Sequence, residues 1–276
     1  MMIILEILKL ALFGIVEGYT EWLPISSTGH LILLENLIHL QQPEDFWNVF
    51  KVVIQLGAIL AVVVLYWPKL WPFSRSRTNA QKRAVWSLWT KIIIACLPAV
   101  IVGLPLDDFL DAYLSTPTVV GCTLIFYGIL FIVLERNNRK KIFPINKMSK
   151  LDIRTALLIG AFQCLALIPG TSRSGATILG AMILGCSRPV AAEFSFFLGI
   201  PVMFGASLLK IVKHGFDFTG FQVFSLLFGM TVSFLVAVYT IRFLMKYIRK
   251  NDFTVFGYYR IVLGIIVLIW FTVLGH

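Results

Sequence analysis

The sequence predicts an all-α polytopic membrane protein. It is expected to be an inverted repeat, each copy a re-entrant helix pair followed by three transmembrane helices. Three observations lead there. Of 276 residues, 58% are hydrophobic and only 14% charged, against roughly 45–50% apolar and about 25% charged in soluble domains. The apolar residues gather in runs that approach the roughly 20 helical residues a bilayer core requires. Two further apolar stretches are each broken near the middle by Pro, Gly and hydroxyl residues.

The unbroken runs are Val49 to Trp67, Ile92 to Leu106, Thr118 to Leu134, Val190 to Val212, Phe221 to Ile241 and Tyr258 to Leu274. Helices are expected because backbone polar groups in lipid must be satisfied within the segment. Barrel strands would alternate polar and apolar positions, and these runs do not. The cysteines Cys96, Cys122, Cys164 and Cys186 sit in apolar contexts without metal-ligand spacing and read as small core residues. Residues Met1 to Leu12 lack a basic start and a small-residue cleavage site, so no cleavable signal is expected there.

The formal charge of +10 reads as topology-fixing loops rather than as a nucleic-acid surface. One basic loop carries Lys69, Arg75, Arg77, Lys82, Arg83 and Lys91; the other carries Arg136, Arg139, Lys140, Lys141, Lys147, Lys150 and Arg154. Two spans separate them, so both are expected on the cytoplasmic side. The connection between those spans holds Asp107, Asp108 and Asp111 and is expected to be an outside loop. A third cluster, Arg242, Lys246, Arg249 and Lys250, then also falls inside, with both termini outside.

The broken stretches are Ile3 to Leu37 and Ile153 to Leu184. Re-entrant half-helices tolerate such breaks where the irregular backbone is buried in protein or faces a wet cavity. The two stretches also match each other at an offset of 146. Leu12 falls on Leu158, Gly14 on Gly160, Glu17 on Gln163, Ser26 on Ser172, Thr28 on Ser174 and Gly29 on Gly175. Three spans after each pair would invert the second copy relative to the first. The expected organisation is one membrane domain: residues 1–135, a basic linker 136–152, and residues 153–276. The two tips should meet near the midplane.

The first tip reads Glu17-Gly-Tyr-Thr-Glu21-Trp-Leu-Pro24-Ile-Ser26-Ser27-Thr28-Gly29-His30. Glu17 and Glu21 share a helix face. Two acids at membrane depth need a divalent cation, a shared proton or an Arg to relieve their repulsion. Ser26, Ser27 and Thr28 open a half-helix, where hydroxyls can cap or can bind an anion. His30 can serve as acid or base near neutral pH. The second tip reads Pro169-Gly170-Thr171-Ser172-Arg173-Ser174-Gly175-Ala176-Thr177. Arg173 is the only charge from Thr155 to Ser187, and its planar fork suits phosphate oxygens. The tips are complementary: the second has Leu167 for Glu21, Ala176 for His30, and Arg173 where the first has Ser27. Acids, hydroxyls and His from one tip, with Arg from the other, would make a diphosphate site at their junction.

The segments EGYTEWLPISSTGH and PGTSRSGAT resemble the two signature motifs of the undecaprenyl-diphosphate phosphatase family, also called bacitracin-resistance proteins. The resemblance extends over nearly the whole chain in length, motif order and span layout. It implies an inner-membrane enzyme that hydrolyses undecaprenyl diphosphate to the monophosphate carrier lipid for peptidoglycan synthesis. It implies a divalent cation, Mg²⁺ or Ca²⁺, held by Glu17 and Glu21, with Glu21, Ser27, His30 and Arg173 catalytic. Ser26, Thr28, Ser172, Ser174 and Thr177 would bind substrate. The expected partners are a polyprenyl diphosphate lipid and the bilayer, with no nucleic acid, and the site should open to the outer face. Whether Ser27 or a metal-activated water attacks is left open.

Two rival readings stand beside this one. Lipid phosphatases with a histidine nucleophile need a His soon after the Arg. Here the histidines are His30, His39, His214 and His276, and none follows Arg173 closely. A transporter or flippase for polyprenyl phosphate lipids would share the architecture, and fold alone does not decide between transport and hydrolysis.

Overall fold

The computed structural model describes residues 2–38, 40, 42–114, 116–215 and 217–273; His39 and His276 lie outside them. The chain forms α1 (Met2–Thr20), α2 (Ser27–Leu37), α3 (Glu44–Leu65), α4 (Trp67–Leu70), α5 (Asn79–Leu114) and α6 (Pro117–Asn138). It continues as α7 (Ile153–Gln163), α8 (Arg173–Ile183), α9 (Arg188–His214), α10 (Gly220–Tyr247) and α11 (Thr254–Leu268). Among the described residues, six helices are long and apolar enough to cross a membrane: Asp45–Leu65, Asn79–Gly103, Pro117–Asn138, Arg188–Lys213, Gly220–Tyr247 and Thr254–Phe271. These are the six runs read from the sequence. No strand occurs among the described residues beyond an isolated bridge between Ile145 and Cys186.

One expectation is corrected. The acidic connection is not a loop, because α5 runs on through Asp107, Asp108 and Asp111 to Leu114. Pro98 and Pro105 lie inside it. Proline removes one helical hydrogen bond, yet its fixed φ near −65° is helical, so the path continues through both.

The two broken stretches are helix–break–helix units. In the first, α1 ends at Thr20 and α2 starts at Ser27. In the second, α7 tightens into a 3₁₀ turn over Cys164–Leu167 before α8 begins at Arg173. Ser26 and Ser172 are the two non-glycine residues with positive φ among the described residues, each at 71°. Each hydroxyl accepts a hydrogen bond from the backbone N–H three residues on, Gly29 and Gly175 respectively. Strained backbone of this kind collects at functional sites.

Close helix contacts fix where the breaks lie. A Cβ added to Gly14 would sit 2.8 Å from the Gly229 carbonyl oxygen, and one added to Gly160 would sit 2.1 Å from that of Ala95. Hence α1 seats on α10, and α7 on α5. Helices α6 and α11 run antiparallel, with Gly121 against Gly264 and Gly128 against Gly257.

The basic segments gather at one end of the molecule. Lys69 pairs with Glu193 at 2.7 Å. Arg188 grips both carboxylate oxygens of the fully buried Glu135, which also accepts the Phe253 N–H at 3.0 Å. Tyr66 shares a cleft wall with Arg242, Lys246 and Arg249. The principal buried apolar cluster runs between this end and the two breaks, through Ile59, Val62, Ile92, Phe131, Ile178, Phe194 and Leu244.

Candidate active site

The site forms where the two breaks touch. Ser174 donates from Oγ to the backbone carbonyls of Glu21 (3.1 Å) and Leu23 (3.2 Å), which locks the start of α8 to the first break. The second break is held from its other side by Thr123 on α6, whose Oγ1 donates to the Pro169 carbonyl at 2.8 Å.

Across this junction Arg173 reaches Glu21, with Nη2 3.3 Å from Oε1. The other carboxylate oxygen of Glu21 accepts the Ser27 hydroxyl at 2.8 Å. One carboxylate thus joins a hydroxyl from its own break to a guanidinium from the other. Arg173 is also fixed from two further directions. Its Nη1 donates to the Ser195 carbonyl on α9 at 2.8 Å. Its Cζ lies 5.1 Å from the ring centroid of Trp22, an attraction between a cation and an aromatic face. Trp22 is itself locked by its indole N–H to the Ala58 carbonyl, 3.2 Å away on α3. Arg173 Nε is buried and has no hydrogen-bond partner. It is a spare donor at a site that already carries positive charge.

Arg260 on α11 is the second arginine of the junction, and it is fully buried. Its Nη1 donates to the Pro24 carbonyl of the first break at 3.1 Å. Its Nη2 donates to the Gly170 and Thr171 carbonyls of the second, at 3.0 and 2.9 Å. The guanidinium lies over the Tyr127 ring, 5.6 Å from its centroid. No carboxylate pairs with Arg260 among the described residues. One fork therefore ties both breaks together and leaves a standing positive charge between them.

Glu17, one helical turn before Glu21, is also buried, and its Oε1 has no hydrogen-bond partner. An orphaned buried carboxylate oxygen next to a second carboxylate suits a hard cation with oxygen ligands. No cluster of three or more His, Cys, Asp or Glu exists among the described residues. A bound cation would therefore draw its remaining ligands from substrate oxygens and water.

The bacitracin resistance protein BacA family matches this chain over residues 10–266. The chain belongs to that family. It is 57% identical to an undecaprenyl-diphosphatase of Acetivibrio thermocellus over 267 residues, covering 97% of this chain and 98% of that one. It is 54% identical to one from Enterococcus faecalis, covering 96% and 97% of the two chains. It is 56% identical to one from Lactiplantibacillus plantarum, covering 98% and 99%.

The BacA-family motifs named from the sequence divide in the structure by what they touch. Glu21, Ser27, Arg173 and Ser174 meet at the junction. Ser26 and Ser172 cap α2 and α8, and Ser172 Oγ also lies 3.1 Å from Ser174 Oγ. Thr177 is buried, donates to the Arg173 carbonyl at 2.9 Å and bonds Ser195 Oγ at 2.7 Å, so it braces Arg173 from behind. Thr28 is exposed on the first turn of α2. His30 bonds the Ser26 carbonyl through Nδ1 and the Tyr259 hydroxyl through Nε2, both at 2.7 Å. A carbonyl can only accept, so Nδ1 carries the proton and a neutral ring accepts from Tyr259.

Sequence reasoning passed over Arg260, Ser195, Gly199 and Tyr259. A Cβ on Gly199 would lie 2.8 Å from Arg173 Cζ, so α9 must be bare there to admit the guanidinium. Arg260 carried a signal in the sequence, a charge inside the apolar stretch from Tyr258 onward. Ser195 holds Arg173 through its backbone carbonyl, which sequence does not reveal.

Proposed function

We propose that this chain hydrolyses undecaprenyl diphosphate to undecaprenyl phosphate and inorganic phosphate, at the junction of its two breaks. The Ser27–Glu21–Arg173 chain carries the reading. It supplies a nucleophile within hydrogen-bond reach of a base, and a guanidinium fixed beside both. Family membership and full-length likeness to undecaprenyl-diphosphatases support the substrate and the reaction.

In this mechanism the terminal phosphate lies against Arg173, whose free Nε donates to a phosphate oxygen. Ser27 Oγ attacks the terminal phosphorus and its proton passes to Glu21. The bond from that phosphorus to the bridging oxygen breaks, and the lipid monophosphate leaves. Glu21 gives that proton to the departing lipid monophosphate; water then attacks the phosphoserine, its proton passing to Glu21 and on to the leaving Ser27 oxygen, and inorganic phosphate is released. Arg173 and Arg260 are in place before the charge develops, which is how preorganised donors lower a barrier. Glu17 and Glu21 would hold the divalent cation, Mg²⁺ or Ca²⁺, which when bound offsets the diphosphate charge. His30 and Tyr259 border the first break and would orient Ser26 and the start of α2.

The site is read as open to the outer face of the bacterial inner membrane. Its apolar surroundings keep the polyprenyl tail in the bilayer, and the basic end faces the cytoplasm. The halves, residues 1–135 and 153–276, are read as an inverted repeat joined by the linker 136–152. The paired strained caps Ser26 and Ser172, the paired contacts of Gly14 and Gly160, and the antiparallel α6–α11 contact support it.

The test is phosphate release by purified protein in detergent, where no gradient exists. Ser27→Ala should fall to near background and Ser26→Ala far less, and quenched wild type should carry phosphate on Ser27. Substantial turnover in Ser27→Ala would make water the nucleophile and Ser27 a binding group. No phosphate release by wild type would favour transport.

A further inference from the structure

A second polar cleft lies at the basic end, away from the junction. It encloses about 700 Å³ between α4, the first turns of α5, the short turn at Met148–Lys150 and α9. Lys69, Arg77 and Lys91 line it, with Glu193 as its carboxylate and Val85 and Leu88 as its buried apolar floor. Lys69 is paired with Glu193. Arg77 and Lys91 have no ion-pair partner among the described residues. The cleft therefore keeps two uncompensated cations.

Lys91 is the unusual member. It sits within the spanning segment Asn79–Gly103, twelve residues along α5, or roughly 18 Å of helix. Isoleucines 92, 93 and 94 follow it. Asn79, Gln81, Lys82, Arg83, Ser87 and Thr90 precede it on α5, so Lys91 stands at the polar edge of the apolar run, where an unpaired ammonium can meet a lipid head group. Aromatic residues frame the same region. Trp67 stacks on Trp71 at 4.7 Å, Phe73 meets Trp86 at 5.8 Å, and the Trp89 indole donates to the Leu70 carbonyl at 2.8 Å. Such belts settle at the head-group level of a bilayer. An open, cationic cleft with an apolar floor at that depth suits an ester of phosphate whose chains stay in the membrane. Free phosphate would gain nothing from the apolar floor.

We propose that this cleft is a second anion site, which holds the phosphate head group of an anionic membrane phospholipid. It shares no residue with the junction, so it stands or falls apart from the hydrolytic reading.

The experiment uses the full chain, delipidated in neutral detergent. Retained lipid is measured by native mass spectrometry after adding phosphatidylglycerol or phosphatidylcholine, with and without millimolar inorganic phosphate. Wild type should retain phosphatidylglycerol selectively. The double variant Arg77→Gln/Lys91→Gln should lose that selectivity by about thirtyfold, as expected for two basic residues near a membrane surface. Lys91→Arg, which keeps the charge, should retain it and serves if the double variant does not fold. Turnover on undecaprenyl diphosphate in detergent should not change in any of them. Unchanged selectivity in a folded double variant would overturn the proposal. Displacement of the lipid by inorganic phosphate would overturn it too, in favour of a free-phosphate site.

Discussion

Arg260→Met tests whether one buried fork holds the two breaks in register. The side chain is fully buried and makes three donor bonds, one to Pro24 and two to the pair Gly170 and Thr171. Hydrogen bonds from a charged group are worth roughly 1.5–3 kcal/mol each, and each carbonyl left unpaired in a buried site costs about 1–3 kcal/mol. Those terms do not add, because removing the buried charge also removes its own desolvation penalty. Three carbonyls left unpaired, taken toward the lower part of that range, give a net loss of about 3–5 kcal/mol. Spread over a chain of this size, it should lower the melting temperature by roughly 8–15 °C. Activity should fall further than stability, because Ser27 and Arg173 stand on opposite breaks. Arg260→Lys keeps the charge, but a single ammonium is a poor match for carbonyls on both sides, so it should fall between wild type and Arg260→Met. The assay is phosphate release below the melting temperature, alongside thermal unfolding in detergent. If Arg260→Met melts and turns over as wild type does, the breaks are held by Ser174 and the helix contacts alone, and the reasoning fails.

Two further outcomes are expected. Gly199→Ala places a Cβ 2.8 Å from Arg173 Cζ; the flexible guanidinium gives way, so turnover should drop about ten- to a hundredfold with melting almost unchanged, and an unchanged turnover would show that Arg173 need not sit where it does. Chelation should abolish turnover, Glu21→Gln should lose most activity and Glu17→Gln less, since the matching position in the second stretch is Gln163; a Glu21→Gln protein with normal turnover and unchanged metal dependence would end the metal assignment.

The spans were legible because lipid imposes one pattern, an unbroken apolar helix. Both breaks were legible because Pro, Gly and hydroxyls interrupted that pattern at matching places. The meeting of Glu21, Ser27 and Arg173 followed from charge: neither an acid nor an Arg is stable alone in an apolar tip. Other features were hidden for physical reasons. Three hydroxyls in a row look alike in sequence, yet Ser26 caps, Ser27 bonds Glu21 and Thr28 is exposed. The continuation of α5 through an acidic stretch depends on tertiary context, since Asp107–Asp111 reads as a loop by polarity. Ser195 and Pro24 contribute carbonyls, and Gly199 contributes an absence of side chain. Arg260 lies outside both motifs, and its partners are backbone carbonyls distant in sequence, which no residue pattern marks.

The central claim is that Arg173 acts on the diphosphate and does not merely bind the breaks together. Arg173→Lys measures this most directly, since Lys keeps the charge and the pairing with Glu21 but loses the flat fork and its Nε donor. Phosphate release from undecaprenyl diphosphate should fall by at least about a hundredfold, as for other preorganised anion stabilisers, while the melting temperature stays near that of wild type. Near-normal turnover in Arg173→Lys would contradict the account and leave Arg173 a structural tie.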